Sequence, residues 1–153
     1  LADTQYLTTK QFLSEYFSQD VPKSSKLWLV KERTKQAKKI LGHSPAQRIQ
    51  RYWKHGNKTA WVLEEIGKVE LITAGFVVED GKIAQVRVLT YRESRGGEVR
   101  YKRFLQQYVG AVLKENSFLD RHVDGISGAT LSVRSMSRMA RLALYYDRLA
   151  REE

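Results

Sequence analysis

Residues 124–133 read Asp124-Gly125-Ile126-Ser127-Gly128-Ala129-Thr130-Leu131-Ser132-Val133, and they hold the residue types best placed to do chemistry. Two glycines and several small side chains make a tight turn, and an apolar-periodic run from 133 to about 149 follows directly as a long helix. Thr130 therefore stands at a helix start. The first amides of a helix lack internal partners and carry the positive end of the peptide dipole, so a phosphate set against residues 128–132 would be stabilised. Taken alone, the same arrangement also describes an ordinary first-turn threonine or cap.

Among the other candidates, Asp124 and Gly125 read as a simple turn. Glu93 and Ser94 close a strand, where a carboxylate is usually solvated. Trp53, Trp61 and Tyr91 can pack a sheet or cover a flat heteroaromatic ring. The histidines His43, His55 and His122 lack metal-ligand spacing; His122, two residues before Asp124, would be the one to neighbour a phosphate or supply a proton. No Gly-x-Gly-x-x-Gly dinucleotide fingerprint occurs.

The run Asp124-Gly125-Ile126-Ser127-Gly128-Ala129-Thr130-Leu131-Ser132 resembles the flavinylation motif of the FMN-binding domain family, found in subunits of bacterial sodium-pumping NADH:quinone oxidoreductases and their relatives. The resemblance extends over residues 69–150, through a strand, an Asp-Gly turn, a strand ending in Glu93-Ser94, a glycine turn and an amphipathic helix ending near Gly110. It departs at Glu93-Ser94-Arg95-Gly96, where the family often has Glu-Thr-Pro-Gly, and at Ser132, where the family has threonine. The resemblance implies FMN held covalently through a phosphoester to Thr130, installed by a separate flavin transferase that reads Asp124. It implies cofactor contacts from Gly125, Ser127, Gly128, Ala129, Leu131, Ser132, Glu93 and Ser94. It further implies an extracytoplasmic, periplasmic electron carrier more than a self-sufficient enzyme, exchanging electrons with redox partners such as acidic cytochromes or a membrane reductase. Non-covalent FMN binding is the nearer alternative.

Composition bounds these readings. The 153 residues suit one domain with its own core, and the absence of cysteine removes thiol catalysis, iron–sulfur ligation and disulfides. The chain begins at Leu1, which is expected of a processed or trimmed product from which any targeting segment is gone. No apolar stretch approaches the ~20 residues that cross a bilayer. The net charge of +10 favours an acidic protein, an anionic membrane or nucleic acid. A cofactor-free nucleic-acid-binding domain is thus the rival from another class, although zinc-finger spacing and RNA-binding aromatic signatures are missing, and an acidic redox partner with no nucleic acid is expected. Arg134, Arg138, Arg141 and Arg148 form a basic edge on the last helix. A solvated basic surface explains the same charge.

The elements that must position the motif follow from periodicity. Residues 1–7 read as an extended arm, and Thr8-Thr9-Lys10-Gln11 as a capping box opening a helix with Phe12, Leu13, Tyr16 and Phe17 on one face. A second helix is expected over 24–41, stopped by Gly42 and Pro45. Strands are expected at 48–55 and 58–65 around Gly56-Asn57, and at 69–79 and 83–91 around Asp80-Gly81, forming a four-stranded meander. The stripe Tyr101, Phe104, Leu105, Tyr108 and Val112 predicts a helix over 98–113, with Gly110 inside it or at its end. The resulting expectation is an α+β single domain, an antiparallel β-sheet meander packed with α-helices, with residues 1–46 as a helical segment on the FMN-binding part, 47–153.

Overall fold

The computed structural model describes residues 4–18 and 20–153. Of the expected arm, residues 1–3 lie outside the described residues. The chain folds as an α+β domain around one antiparallel six-stranded sheet. Its strands are β1 (Thr4–Gln5), β2 (Ser25–Trp28), β3 (Ile49–His55), β4 (Lys58–Ile66), β5 (Leu71–Glu79) and β6 (Lys82–Tyr91). They lie in the order β1-β6-β5-β4-β3-β2.

The meander β3 to β6 forms as its turn residues dictate, and β5 is buried along almost its whole length, as a continuous apolar strand covered on both faces requires. The sheet is nonetheless wider than a four-stranded meander. Residues before the meander supply both borders, β1 pairing Thr4 with Tyr91 and β2 pairing Ser25 with Tyr52.

On one face lies α1 (Thr9–Tyr16), opened by the full capping box: Thr8 Oγ1 accepts from the Gln11 amide and Gln11 returns its side-chain oxygen to the Thr8 amide. Phe12 and Leu13 then meet Trp53, Val77 and Leu89. A Cβ on Gly75 would lie 2.6 Å from the Phe12 ring, so glycine there lets α1 settle on β5.

The other face carries α2 (Glu32–Leu41), a one-turn α3 (Lys102–Leu105) and the 23-residue α4 (Thr130–Glu152). Met136, Met139, Ala140 and Ala143 of α4 are fully buried against Trp61, Ile72, Ala74 and Phe76. At its far end the buried Asp147 accepts from Thr59 Oγ1 at 2.7 Å and from Arg151 Nε at 2.8 Å, while Trp61 Nε1 donates to Thr59 at 2.8 Å. No helix is long and apolar enough to cross a membrane among the described residues.

Two expected helices are corrected. Residues 24–41 split into β2 and α2, because Leu27 and Leu29 alternate inward along an edge strand before the helical pattern starts. Residues 98–113 form no continuous helix; a 3-10 turn at Gly97–Arg100, α3 and a second 3-10 turn at Gln106–Tyr108 succeed one another. Gly110, at φ +85°, lies beyond that path.

Candidate functional site

Thr130 is the first residue of α4, and its side chain is exposed. No side chain caps this helix start, Ala129 being the cap residue. The Ala129 amide donates to the Ile126 carbonyl and Val133 donates to Ala129, so the amides of residues 130–132 have no described backbone acceptor outside the helix. A long helix with an uncapped, open start offers donors and the positive end of its dipole to an anion.

Under this start lies a tight polar knot. The buried Tyr91 hydroxyl donates to the Arg95 carbonyl and lies 2.9 Å from Ser132 Oγ. With its single proton committed to Arg95, Tyr91 accepts from the Ser132 hydroxyl. Burial is the main cause that raises the Tyr91 pKa, with the Ser132 hydrogen bond opposing it, so the phenol keeps the proton this arrangement needs. Gly96 crosses directly above at φ +83°, where a Cβ would come within 2.5 Å of the Tyr91 hydroxyl and 3.2 Å of Ala129 Cβ. Only glycine satisfies both constraints.

Glu93 is engaged in holding the neighbouring turn. Its carboxylate accepts from the amides of Lys68, Val69 at 3.0 Å and Glu70 at 3.2 Å, which fixes the β4–β5 connection beside Ser132. Ser135 Oγ lies 2.5 Å from the Ile66 carbonyl and 3.0 Å from that of Leu131, tying the connection to α4. Gln107 clamps the motif's start, accepting from the Asp124 amide at 2.7 Å and donating to the Asp124 carbonyl at 3.3 Å.

Two clefts open on either side of the motif. One, of about 440 Å³, is bounded by Lys68, Glu93, Arg95, Thr130, Leu131 and Ser132. The second, of about 560 Å³, continues from it past Ser94, Arg95 and Gly128 to Tyr6, Arg100 and Tyr101. The Arg100 guanidinium lies 4.8 Å from the Tyr6 ring centre and 4.6 Å from that of Tyr101. Ideal Cβ atoms on Gly97 and Gly128 would meet nothing within 4 Å, so the floor there is bare backbone.

A model of the FMN-binding domain matches residues 67–145. The chain belongs to the FMN-binding domain family. No curated protein matches it.

For this FMN-binding domain, the residues present fit the cofactor. The uncapped α4 start suits a phosphate, and Lys68, Arg95 and Arg100 supply positive charge along adjoining clefts that have an aromatic wall. The structure brings Ser127, Gly128, Ala129, Thr130, Leu131, Ser132, Glu93 and Ser94 to these clefts. Asp124 and Gly125 lie apart, beside Tyr101, Phe104 and Gln107. Asp124 faces solvent, with His122 Nε2 3.4 Å from its carboxylate. Of the two readings for Trp53 and Trp61, the structure shows sheet packing: Trp53 lies under α1, and Trp61 is fully buried and stacked on Tyr52 at 4.7 Å. Tyr91 reaches the site as a buried support for Ser132, with its ring in the core.

Lys68, Gln107, Arg100 and Tyr101 were not legible as site residues. Their roles depend on which turns fold beside α4, and no local pattern reports that. Glu93 carried a usable signal as the carboxylate at a strand end, but its amide partners come from another hairpin.

Proposed function

We propose that this domain carries FMN covalently, through a phosphoester to Thr130, and serves as an extracytoplasmic electron carrier. The observation that carries the reading is the exposed Thr130 at the uncapped start of α4, lining one of two adjoining clefts. The amides of the first α4 turn and Lys68 hold the phosphate. Arg95 joins the two clefts, and Tyr101 with Arg100 covers the ring on the bare floor at Gly97 and Gly128. When bound, FMN supplies reversible acceptance and release of electrons.

The residues of the chain then set the conditions of that exchange. The Tyr91–Ser132 pair and Gly96 keep the helix start and the 93–97 segment in fixed relation. Glu93 holds the Lys68 turn against them, so the clefts are walled by rigid parts. Positive side chains at 95 and 100 favour a reduced, negatively charged flavin and raise its potential. A flavin transferase, reading the exposed Asp124 at the start of the motif, performs the attachment, and the mature domain passes electrons between protein partners.

Intact mass with and without co-expression of a flavin transferase tests the attachment. The parent gains the flavin mass and keeps its colour through denaturation. Thr130→Ala gains none while its fold is unchanged, and Thr130→Ser retains some labelling through the remaining hydroxyl. Flavin still fixed to denatured Thr130→Ala overturns the residue assignment. A parent that releases all its flavin on denaturation is a non-covalent binder.

A further inference from the structure

The α4 stripe that begins at Thr130 continues through residues 134, 137 and 141, three and four positions apart and hence on one side of the helix. Beside it, between α4 and the 118–123 segment, lies a cavity of about 420 Å³. Its floor is apolar, built from Leu119, Val123 and Val133, and its rim is cationic, with Arg134, Arg138 and Arg141 from α4 facing Arg121. No carboxylate lines it among the described residues.

Some of that charge is already answered. Arg138 pairs with the buried Glu65 at 3.0 Å, and Arg121 with Asp120 at 3.0 Å. Arg134 and Arg141 have no carboxylate partner among the described residues. Arg141 gives its Nε–H to the Ser117 carbonyl at 2.6 Å and lies 4.2 Å from the ring centre of Phe118, which is 55% exposed. Burial first, and the neighbouring charge of Arg138 second, push the Arg141 pKa down. Cations held close together over an apolar floor, with an exposed aromatic ring beside them, are complementary to a carboxylate carried on an apolar body. Nucleic-acid phosphate would leave the floor and Phe118 unused.

We infer that this cavity receives the acidic, apolar-tipped segment of a protein redox partner. A partner carboxylate meets Arg134 and Arg141, and an aromatic or aliphatic side chain next to it seats on Leu119 and Val133. The position suits exchange with the cofactor, since Arg134 lies one helical turn, about 6 Å along the axis, from Thr130. This inference rests on the electron-carrier reading. It also revises the basic edge as a docking surface: Arg148 donates to the Leu113 carbonyl at 3.4 Å and does not line the cavity, so the site is a cavity at the flavin-bearing end and not a continuous charged stripe.

The test uses an acidic c-type cytochrome as the probe. Arg134→Glu is compared with Lys10→Glu, which reverses an exposed charge on the opposite face of the sheet. The second-order rate of cytochrome reduction at low salt should fall about tenfold in Arg134→Glu and less than about twofold in Lys10→Glu, with the gap closing as salt screens the contact. A second arm measures cytochrome binding by calorimetry to the flavin-free Thr130→Ala protein, with and without Arg134→Glu or Phe118→Ala. Both added changes should weaken binding, the Phe118 effect persisting at high salt. This arm separates the two readings, because it stands even where the parent carries no flavin. Equal effects of Arg134→Glu and Lys10→Glu overturn the inference in favour of net charge. Tighter, Arg134-dependent binding of a DNA duplex overturns it in favour of a polyanion surface.

Discussion

The two ends of α4 are built on opposite rules. Near the C-terminal end a buried polar group finds its partners: Asp147 is fully buried between Thr59 and Arg151, and Thr59 also accepts from Trp61. At the N-terminal end the cap residue is an alanine, the first side chain is exposed, and a cleft opens on the helix start. One element thus serves both stability and function. It anchors the core where the buried Asp147 is hydrogen-bonded, and on the proposed reading it would meet the cofactor where its amides are left open.

The sharpest challenge to that contrast is Asp147→Ala. It strips Thr59 and Arg151 of a buried partner and should cost about 3 kcal/mol, read as a lowered urea midpoint with an unchanged slope. A loss well below 1 kcal/mol would mean that the closed end is not an anchor. Gly96→Ala comes next, forcing a Cβ against Tyr91 at positive φ. It should cost about 1–3 kcal/mol and lower flavin content as well, because the strained segment walls the clefts.

Thr130→Asp sharpens the contrast from the other side. A carboxylate at the first turn complements the helix dipole, so thermal unfolding should show a gain of about 0.3–1 kcal/mol while flavin attachment is lost. Destabilisation there would argue against an anion-seeking helix start. The smallest effect lies between the ends, at His43. Its Nε2 lies 2.8 Å from the buried Glu65, which also pairs with Arg138 of α4, and the hydrogen bond to Glu65 is the main cause that raises its pKa. A raised folded-state value means the stabilisation is fully present below the ordinary histidine value of about 6.5 and is lost as pH rises through the raised value. With the imidazole half exposed, the gain is under about 0.5 kcal/mol. Parent and His43→Gln should therefore differ more in urea stability at pH 5.5 than at pH 8.5.

How legible each end was follows the range of the forces involved. The Thr8–Gln11 capping box, the hairpins around residues 56–57 and 80–81, and the α4 start are set by neighbours a few residues apart, and they stand where periodicity and turn chemistry place them. The stripe of 101, 104, 105 and 108 satisfied helical spacing, yet Tyr101 is exposed and the segment is broken into short turns. Leu27 likewise fitted a helix with Val30 and Thr34 until pairing with β3 claimed it for an edge strand. The motif around Thr130 was readable because its residues are contiguous. Its supports at Gln107, Lys68 and Arg100 come from three separate turns, and only the fold assembles them.

The two border strands bear on the order in which the molecule can be completed. Thr4 precedes Tyr91 in the chain but pairs with it, so this strand has no place to go until the fourth strand of the meander exists. Tyr91 is also the residue whose hydroxyl sits beneath Ser132. Closure of the sheet border and maturation of the cofactor seat therefore converge on one late-formed strand, and such long-range pairing slows folding. The interval before that strand settles is when a nascent chain has its open sheet edges most exposed to other chains.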